Sequence, residues 1–269
     1  MTSTAGEHHG ILARIAPEAS LLLGAGRAIL LQLADPRIGT AVVRHSDFVE
    51  NPLSRLHNTL SYVYALGVGT PAQRETVIRF VNAAHAPVHA PRDPATGTPA
   101  YSARDPKLQL WVAATLYDSA AVISRHTLPA LDDAAEEQLY REYICLGQAL
   151  QMPADYWPGD REEFRRYFQD TLGTLQVGPE VREAAEQLFL GRHLPWPVRI
   201  FLPLARDLTI ALLPEEVRGL YGYELTATVR RRARLVIRLA RWGNRLLPHY
   251  VRHAPKRYSL RRVDRGALG

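Results

Sequence analysis

Three segments, Asn51-Pro52-Leu53-Ser54-Arg55-Leu56-His57-Asn58-Thr59, then Thr70-Pro71, then Asn82-Ala83-Ala84-His85-Ala86-Pro87-Val88-His89, decide how this chain folds. Residues 55–66 read as a helix, closed by Gly67-Val68-Gly69. Thr70 suits a helix N-cap and Pro71 the first helical position, so a second helix starts at once. It runs to about His85, because Pro87 lacks an amide donor and its ring clashes with the carbonyl of residue 83. Arg55 and Thr59 are four apart and share one helix face. A guanidinium, a hydroxyl and the His85 imidazole brought together between packed helices would make a small-molecule site.

Outward from this pair, the same signals predict more helices. Residues 16–34 are apolar nearly all round and read as one buried helix, ended by Asp35-Pro36. Gly24 and Gly26 weaken that helix, and with Arg27 they loosely resemble a phosphate loop; close helix packing is the favoured reading. Residues 38–44 are short and helical or irregular. Residues 90–106, rich in Pro, Gly, Asp and Thr, form the main loop, long enough to gate access to a site. Helices follow over 108–128, 132–150, 160–172, 178–191, 195–213 and 224–247, with a further turn at 214–220. No alternating strand pattern persists. The expectation is an all-α single-domain bundle of nine or ten helices over 11–248, with a disordered segment 1–10 and an irregular basic tail 249–269.

The 269 residues can bury a large core, and 46% apolar with 22% charged residues is ordinary for a globular protein. The single cysteine, Cys145, excludes an intrachain disulfide and a cysteine-rich zinc site, and fits a reducing compartment. Residues 1–10 carry no basic and apolar leader pattern, and the apolar run 19–34 falls short of the roughly 20 residues a bilayer span needs. A cytoplasmic location is therefore expected. The net charge of +6 is uneven: residues 226–269 hold 12 Arg, one Lys and one Asp, leaving 20 basic and 26 acidic residues elsewhere. Docking of this basic segment on the acidic body is the favoured reading. Contact with a membrane surface through the basic C-terminal helix comes second, with Val229, Leu235, Val236, Leu239, Trp242, Leu246 and Leu247 opposite the arginines. Nucleic-acid binding is the least favoured.

Several motifs occur in order along nearly the whole chain: Gly24-Ala25-Gly26-Arg27-Ala28; His45-Ser46-Asp47-Phe48; Pro52 with Arg55-Leu56 and Thr59; Asn82 with His85 and Val88; Tyr101-Ser102-Ala103-Arg104-Asp105-Pro106; Trp111-Val112-Ala113-Ala114-Thr115-Leu116; and Leu213-Pro214 with Arg218 and Tyr221-Gly222. In this order and spacing the chain resembles the MpaB-like oxygenase family, which includes the bacterial latex-clearing rubber oxygenases. The resemblance implies an all-helical, globin-like fold holding haem b through one axial histidine. That histidine maps onto His85, with His89 as the rival one turn on. The arginine and threonine near the haem map onto Arg55 and Thr59. Position 58 is Asn, where rubber oxygenases carry a basic residue.

Each candidate also has a structural reading. By composition alone His85 is a satisfied polar residue near a helix end, and only the resemblance makes it a metal ligand. Arg55 either meets a haem propionate or a bound oxygen species, or pairs with Asp47 or Glu50. Thr59 either bonds a distal ligand or bonds back to the carbonyl one turn earlier. His45 is a propionate partner or a helix cap. Tyr101 and Trp111 line the cofactor or belong to the core, the commoner place for aromatics. His85 and His89 do not make a zinc-protease pair, because Ala86 stands where a glutamate is needed and Pro87 breaks the helix. No Gly-x-Ser-x-Gly elbow supports a serine hydrolase. The expected function is a haem-dependent oxygenase or peroxygenase using O2 or peroxide on an apolar small molecule. The alternative is a non-catalytic helical binding or interaction protein with a basic tail for an acidic partner.

Overall fold

The computed structural model describes residues 10–45, 51–95 and 97–268, with backbone alone at Pro52. The disorder expected at the extreme N-terminus, and the candidate partners Asp47 and Glu50, fall outside the described residues. The chain runs through α1 (Ile11–Ile15), a 3-10 turn (Ala19–Gly24), α2 (Ala25–Leu33), α3 (Pro36–His45), α4 (Pro52–Val68) and α5 (Pro71–His85). A small hairpin follows, β1 (His89–Ala90) and β2 (Tyr101–Ser102), then α6 (Pro106–Thr127), α7 (Asp133–Glu142) and α8 (Cys145–Gln148). A second 3-10 turn (Ala154–Tyr156) leads to α9 (Arg161–Leu172), α10 (Pro179–Leu190), α11 (Trp196–Arg199), α12 (Leu202–Leu212) and α13 (Glu215–Tyr221). The chain closes with α14 (Ala227–Leu246), α15 (His249–Arg252) and α16 (Ala254–Asp264). The fold is all-α apart from the hairpin.

Local chemistry sets the boundaries. Thr70 and Gln73 form a reciprocal capping box, Gln73 N donating to Thr70 Oγ1 at 3.2 Å and Thr70 N to Gln73 Oε1 at 3.0 Å. Asp105, Asp132, Asp160 and Thr226 cap α6, α7, α9 and α14 with their side chains. Gly191 and Gly222 end α10 and α13 with positive φ, which L residues resist.

α6 is the axis of the core and is buried on most of its circumference. Tyr117 meets Tyr140, Tyr143 and Phe164 edge-on at 5.2, 5.3 and 4.9 Å, joining α6 to α7 and α9. On the other side α2 and α12 pack closely. A Cβ on Gly26 would stand 2.1 Å from Thr209 Oγ1, and one on Gly24 3.1 Å from the Ser119 carbonyl oxygen. The two glycines are there for close helix packing, with no phosphate loop. Arg27 beside them is 4% exposed. Its guanidinium bonds the Leu212 carbonyl at 2.8 Å and Ser119 Oγ at 2.9 Å, and pairs with Asp118 at 2.6 Å.

Six expectations need correction. Sixteen α-helices stand among the described residues where nine or ten were expected, and the helix expected over 195–213 divides into α11 and α12. The helix expected over 16–34 is a 3-10 turn followed by α2, because Gly24 packs on the α6 backbone. The helix expected over 132–150 breaks after Glu142. The loop 90–106 contains a hairpin, with His89 opposite Ser102 and Ala90 opposite Tyr101. The tail expected to be irregular forms α15 and α16, and α16 packs along α4 and α5 with Ser259 and Val263 buried. Among the described residues no helix is long and apolar enough to cross a membrane.

Candidate functional site

α4 and α5 are consecutive helices packed together, and α16 covers part of both. Arg55, Asn58, Thr59 and Tyr62 recur on α4 at helical spacing. Thr59 Oγ1 donates to the Arg55 carbonyl at 3.0 Å, the back-bond that is the structural reading of this residue. The hydroxyl hydrogen is therefore committed, and only its lone pairs remain to accept.

α5 ends at His85 as Pro87 requires. Val88 N donates back to the His85 carbonyl at 3.1 Å. The His85 side chain is half-buried, and its Nδ1 is buried with no hydrogen-bond partner among the described residues. Burial lowers its pKa below the usual value of 6.5, and the positive charges of Arg55 and Arg104 lower it further. The structure thus brings Arg55 and His85 into one electrostatic neighbourhood and adds Arg104. Two more partnerless buried atoms, Asn58 Oδ1 and Ser61 Oγ, belong to α4. Such atoms cost free energy unless a ligand or water meets them.

Polar contacts from distant parts of the chain hold this region. Gln151 Nε2 donates to Asn82 Oδ1 at 2.5 Å, and Gln109 Nε2 to Gln151 Oε1 at 2.9 Å and to the Ala103 carbonyl at 3.1 Å. The last turn of α5, the start of α6 and the end of the hairpin are thereby tied together. Arg104, Gln109 and Gln151 were not among the residues singled out from sequence. The only signal for Arg104 was its place in the Tyr101-to-Pro106 motif, and the glutamines left none.

The remaining candidates are dispersed. His45 Nε2 and Tyr101 Oη lie 2.8 Å apart, so this pair fastens the hairpin to α3. Tyr101 itself is 5% exposed. Trp111 is 1% exposed and packs, tilted, against Phe168 with ring centroids 5.1 Å apart. Its Nε1 donates to the Leu31 carbonyl at 3.1 Å, so its packing is that of the core, with no open wall to line. His89 is exposed and sits on β1, off the helix that carries His85.

One further cluster, Glu18, His249 and His253, has donor atoms within 4.8 Å of one another. The Arg252 guanidinium already bonds Glu18 at 2.9 Å and lies 3.0 Å from His249 Nδ1, while His253 meets the other Glu18 oxygen at 3.2 Å. A cationic side chain thus stands beside the ligand atoms, and the cluster reads as a clamp on the C-terminal helices.

The His85 shift has a measurable consequence in the ligand-free chain. A histidine lowered below 6.5 binds fewer protons folded than unfolded, so its contribution to stability is complete above that pH. The contribution is lost as pH falls through the lowered folded value. His57, lowered by burial and by Arg262, adds a slope of the same sign. Urea melts across this range should show His85→Gln flattening part of the acid-side decline. An unchanged slope would mean that His85 is solvated.

The family model described as "ER-bound oxygenase mpaB/B'/Rubber oxygenase, catalytic domain" matches residues 13–242. Uncharacterized proteins of Mycobacterium bovis and Mycobacterium tuberculosis are each 32% identical to this chain over 226 residues, covering 82% of it and 88% of the relative. No solved structure matches. α15 and α16 lie beyond the matched span.

Proposed function

We infer the function of this chain from its family: it belongs to the ER-bound oxygenase mpaB/B'/rubber oxygenase catalytic-domain family, and we propose that it is a haem b-dependent oxygenase or peroxygenase. Oxygenase-type enzyme function follows from the family. Haem b, a globin-like arrangement around it, an apolar small-molecule substrate, O2 or peroxide as oxidant and a cytoplasmic setting are the finer parts of the proposal.

The observation that carries it is His85. Its Nδ1 is buried with no hydrogen-bond partner among the described residues, and burial together with two guanidinium groups lowers its pKa, which favours the neutral imidazole. A neutral imidazole is the form that ligates iron. The site residues therefore fit the group. Haem b, when bound, supplies the redox-active iron for oxygen or peroxide chemistry. His85 would hold the iron through one ring nitrogen, and its other nitrogen would set the tautomer. Arg55 and Arg104 would supply charge-assisted donors for the haem propionates and positive charge beside the iron site. Back-bonded Thr59 acts as an acceptor. The Asn82–Gln151–Gln109 network fixes the end of α5, and with it the direction of His85. Trp111 and the His45–Tyr101 pair support the scaffold.

Protein purified from cells supplied with iron and a haem precursor should show a Soret band. Arg55→Ala should keep the fold and lower turnover of apolar substrates with O2 or peroxide by roughly 100-fold, the usual effect of removing one preorganised donor. A folded, colourless chain that gains no Soret band when haemin is added would contradict the proposal and favour a non-catalytic helical interaction protein.

A further inference from the structure

We propose that the exposed apolar stripe of α14, with the exposed apolar side chains of residues 196–201 as a second contact, docks this protein on the surface of an anionic lipid bilayer. The proposal is independent of haem binding.

α14 does not have two faces, as its sequence suggests, but three. Val229 and Ala233 turn inward and are 8% and 3% exposed. Arg231, Arg234, Arg238, Arg241 and Arg245 form a second stripe at helical spacing, all exposed. Leu235, Leu239, Trp242 and Leu246 form a third, and Leu239, Trp242 and Leu246 are 61%, 58% and 70% exposed. Large apolar side chains in an ordered row, open to solvent on a helix packed into the fold, mark an interaction surface.

A second exposed apolar segment precedes α12. α12 packs against α14, with Arg232 bonded to Asp207 at 3.0 Å. Further along, Asn244 Nδ2 bonds Ser20 Oγ at 2.9 Å and the Thr127 carbonyl at 3.0 Å. Thr209 packs on Gly26, just past the 3-10 turn that holds Ser20. α12 is preceded by residues 196–201, the short helix α11 and the turn after it. Those residues include Trp196, Ile200 and Phe201, which are 73%, 61% and 65% exposed.

Charge selects the occupant. Residues 187–206 and 225–263 contain no Asp or Glu. The five stripe arginines enter none of the described ion pairs, and Arg230, Arg231, Arg234 and Arg238 line an open concavity with Ala227. A second copy of the chain on this face would bring two arginine rows together. Nucleic acid would meet the arginines and leave Trp196, Trp242 and Leu246 in water. An anionic bilayer meets both, with apolar side chains at the headgroup boundary and guanidinium groups on lipid phosphates. α14 lies on the surface, since it is not apolar enough to cross.

The test is co-sedimentation of the full chain with vesicles of phosphatidylcholine alone and of phosphatidylcholine mixed with phosphatidylserine. Partition into the mixed vesicles is expected to exceed partition into the neutral ones by at least about tenfold, and to fall as salt is added. Trp242→Ser with Leu246→Ser should reduce it by at least about tenfold, as should Arg234→Gln with Arg238→Gln and Arg241→Gln. All five positions are exposed, so both variants should melt like the parent. Absence of binding to mixed vesicles would overturn the proposal. So would binding indifferent to the Trp242/Leu246 variant, which is adsorption by charge alone, or a stable dimer that this variant disperses.

Discussion

Trp111→Ala lowers the free energy of unfolding by about 3–5 kcal/mol, the usual cost of truncating a large aromatic in a packed core. Two losses add up here. The ring is 1% exposed and packs at 5.1 Å on Phe168 and 6.4 Å on Tyr167, so its removal leaves a cavity. Its Nε1 also satisfies the Leu31 carbonyl in the last turn of α2, a position where helix carbonyls lack partners of their own. Tyr221 Oη adds a second donor, at 2.8 Å, to the Leu30 carbonyl, which already accepts from Ala34 N at 3.1 Å. Urea denaturation should show a lower midpoint with an unchanged slope. A variant with parental stability but altered haem retention would place Trp111 at the cofactor instead of in the core.

Arg27→Met costs about 3 kcal/mol, because breaking a buried pair from one side leaves the other charge uncompensated. The guanidinium bridges α12 and α6 through Leu212, Ser119 and Asp118. Asp118 keeps 21% side-chain exposure, which places the cost at the lower end of the range for buried pairs. Adding Asp118→Asn to Arg27→Met should recover part of the loss in the same melts. No recovery would assign the cost to the Leu212 and Ser119 bonds.

Signals confined to a few neighbouring residues were legible in the sequence. Thr70-Pro71 starts a helix where capping chemistry says it should, and Pro87 stops it at His85. The tight Gly24-to-Arg27 segment serves packing, as expected. The C-terminal helices were missed because α16 is mostly polar, and its burial at Ser259 and Val263 depends on a partner almost 200 residues earlier in the chain. Trp111 could not be separated from a pocket aromatic without knowing that Phe168 and the Leu31 carbonyl face it. Gln109, Gln151 and Arg104 approach α5 from far along the chain, and no periodicity records such a contact. α14 showed its amphipathic character, but only the position of α12 shows which apolar residues are covered and which are left open.

The central claim is that His85 holds haem iron, and imidazole rescue tests it most directly. The parent chain is expected to bind haemin with a Soret band. His85→Gly should lose that band and regain it when imidazole is added, while His89→Gly should bind like the parent. A Soret band that survives in His85→Gly without imidazole, or that is lost only in His89→Gly, would contradict the claim.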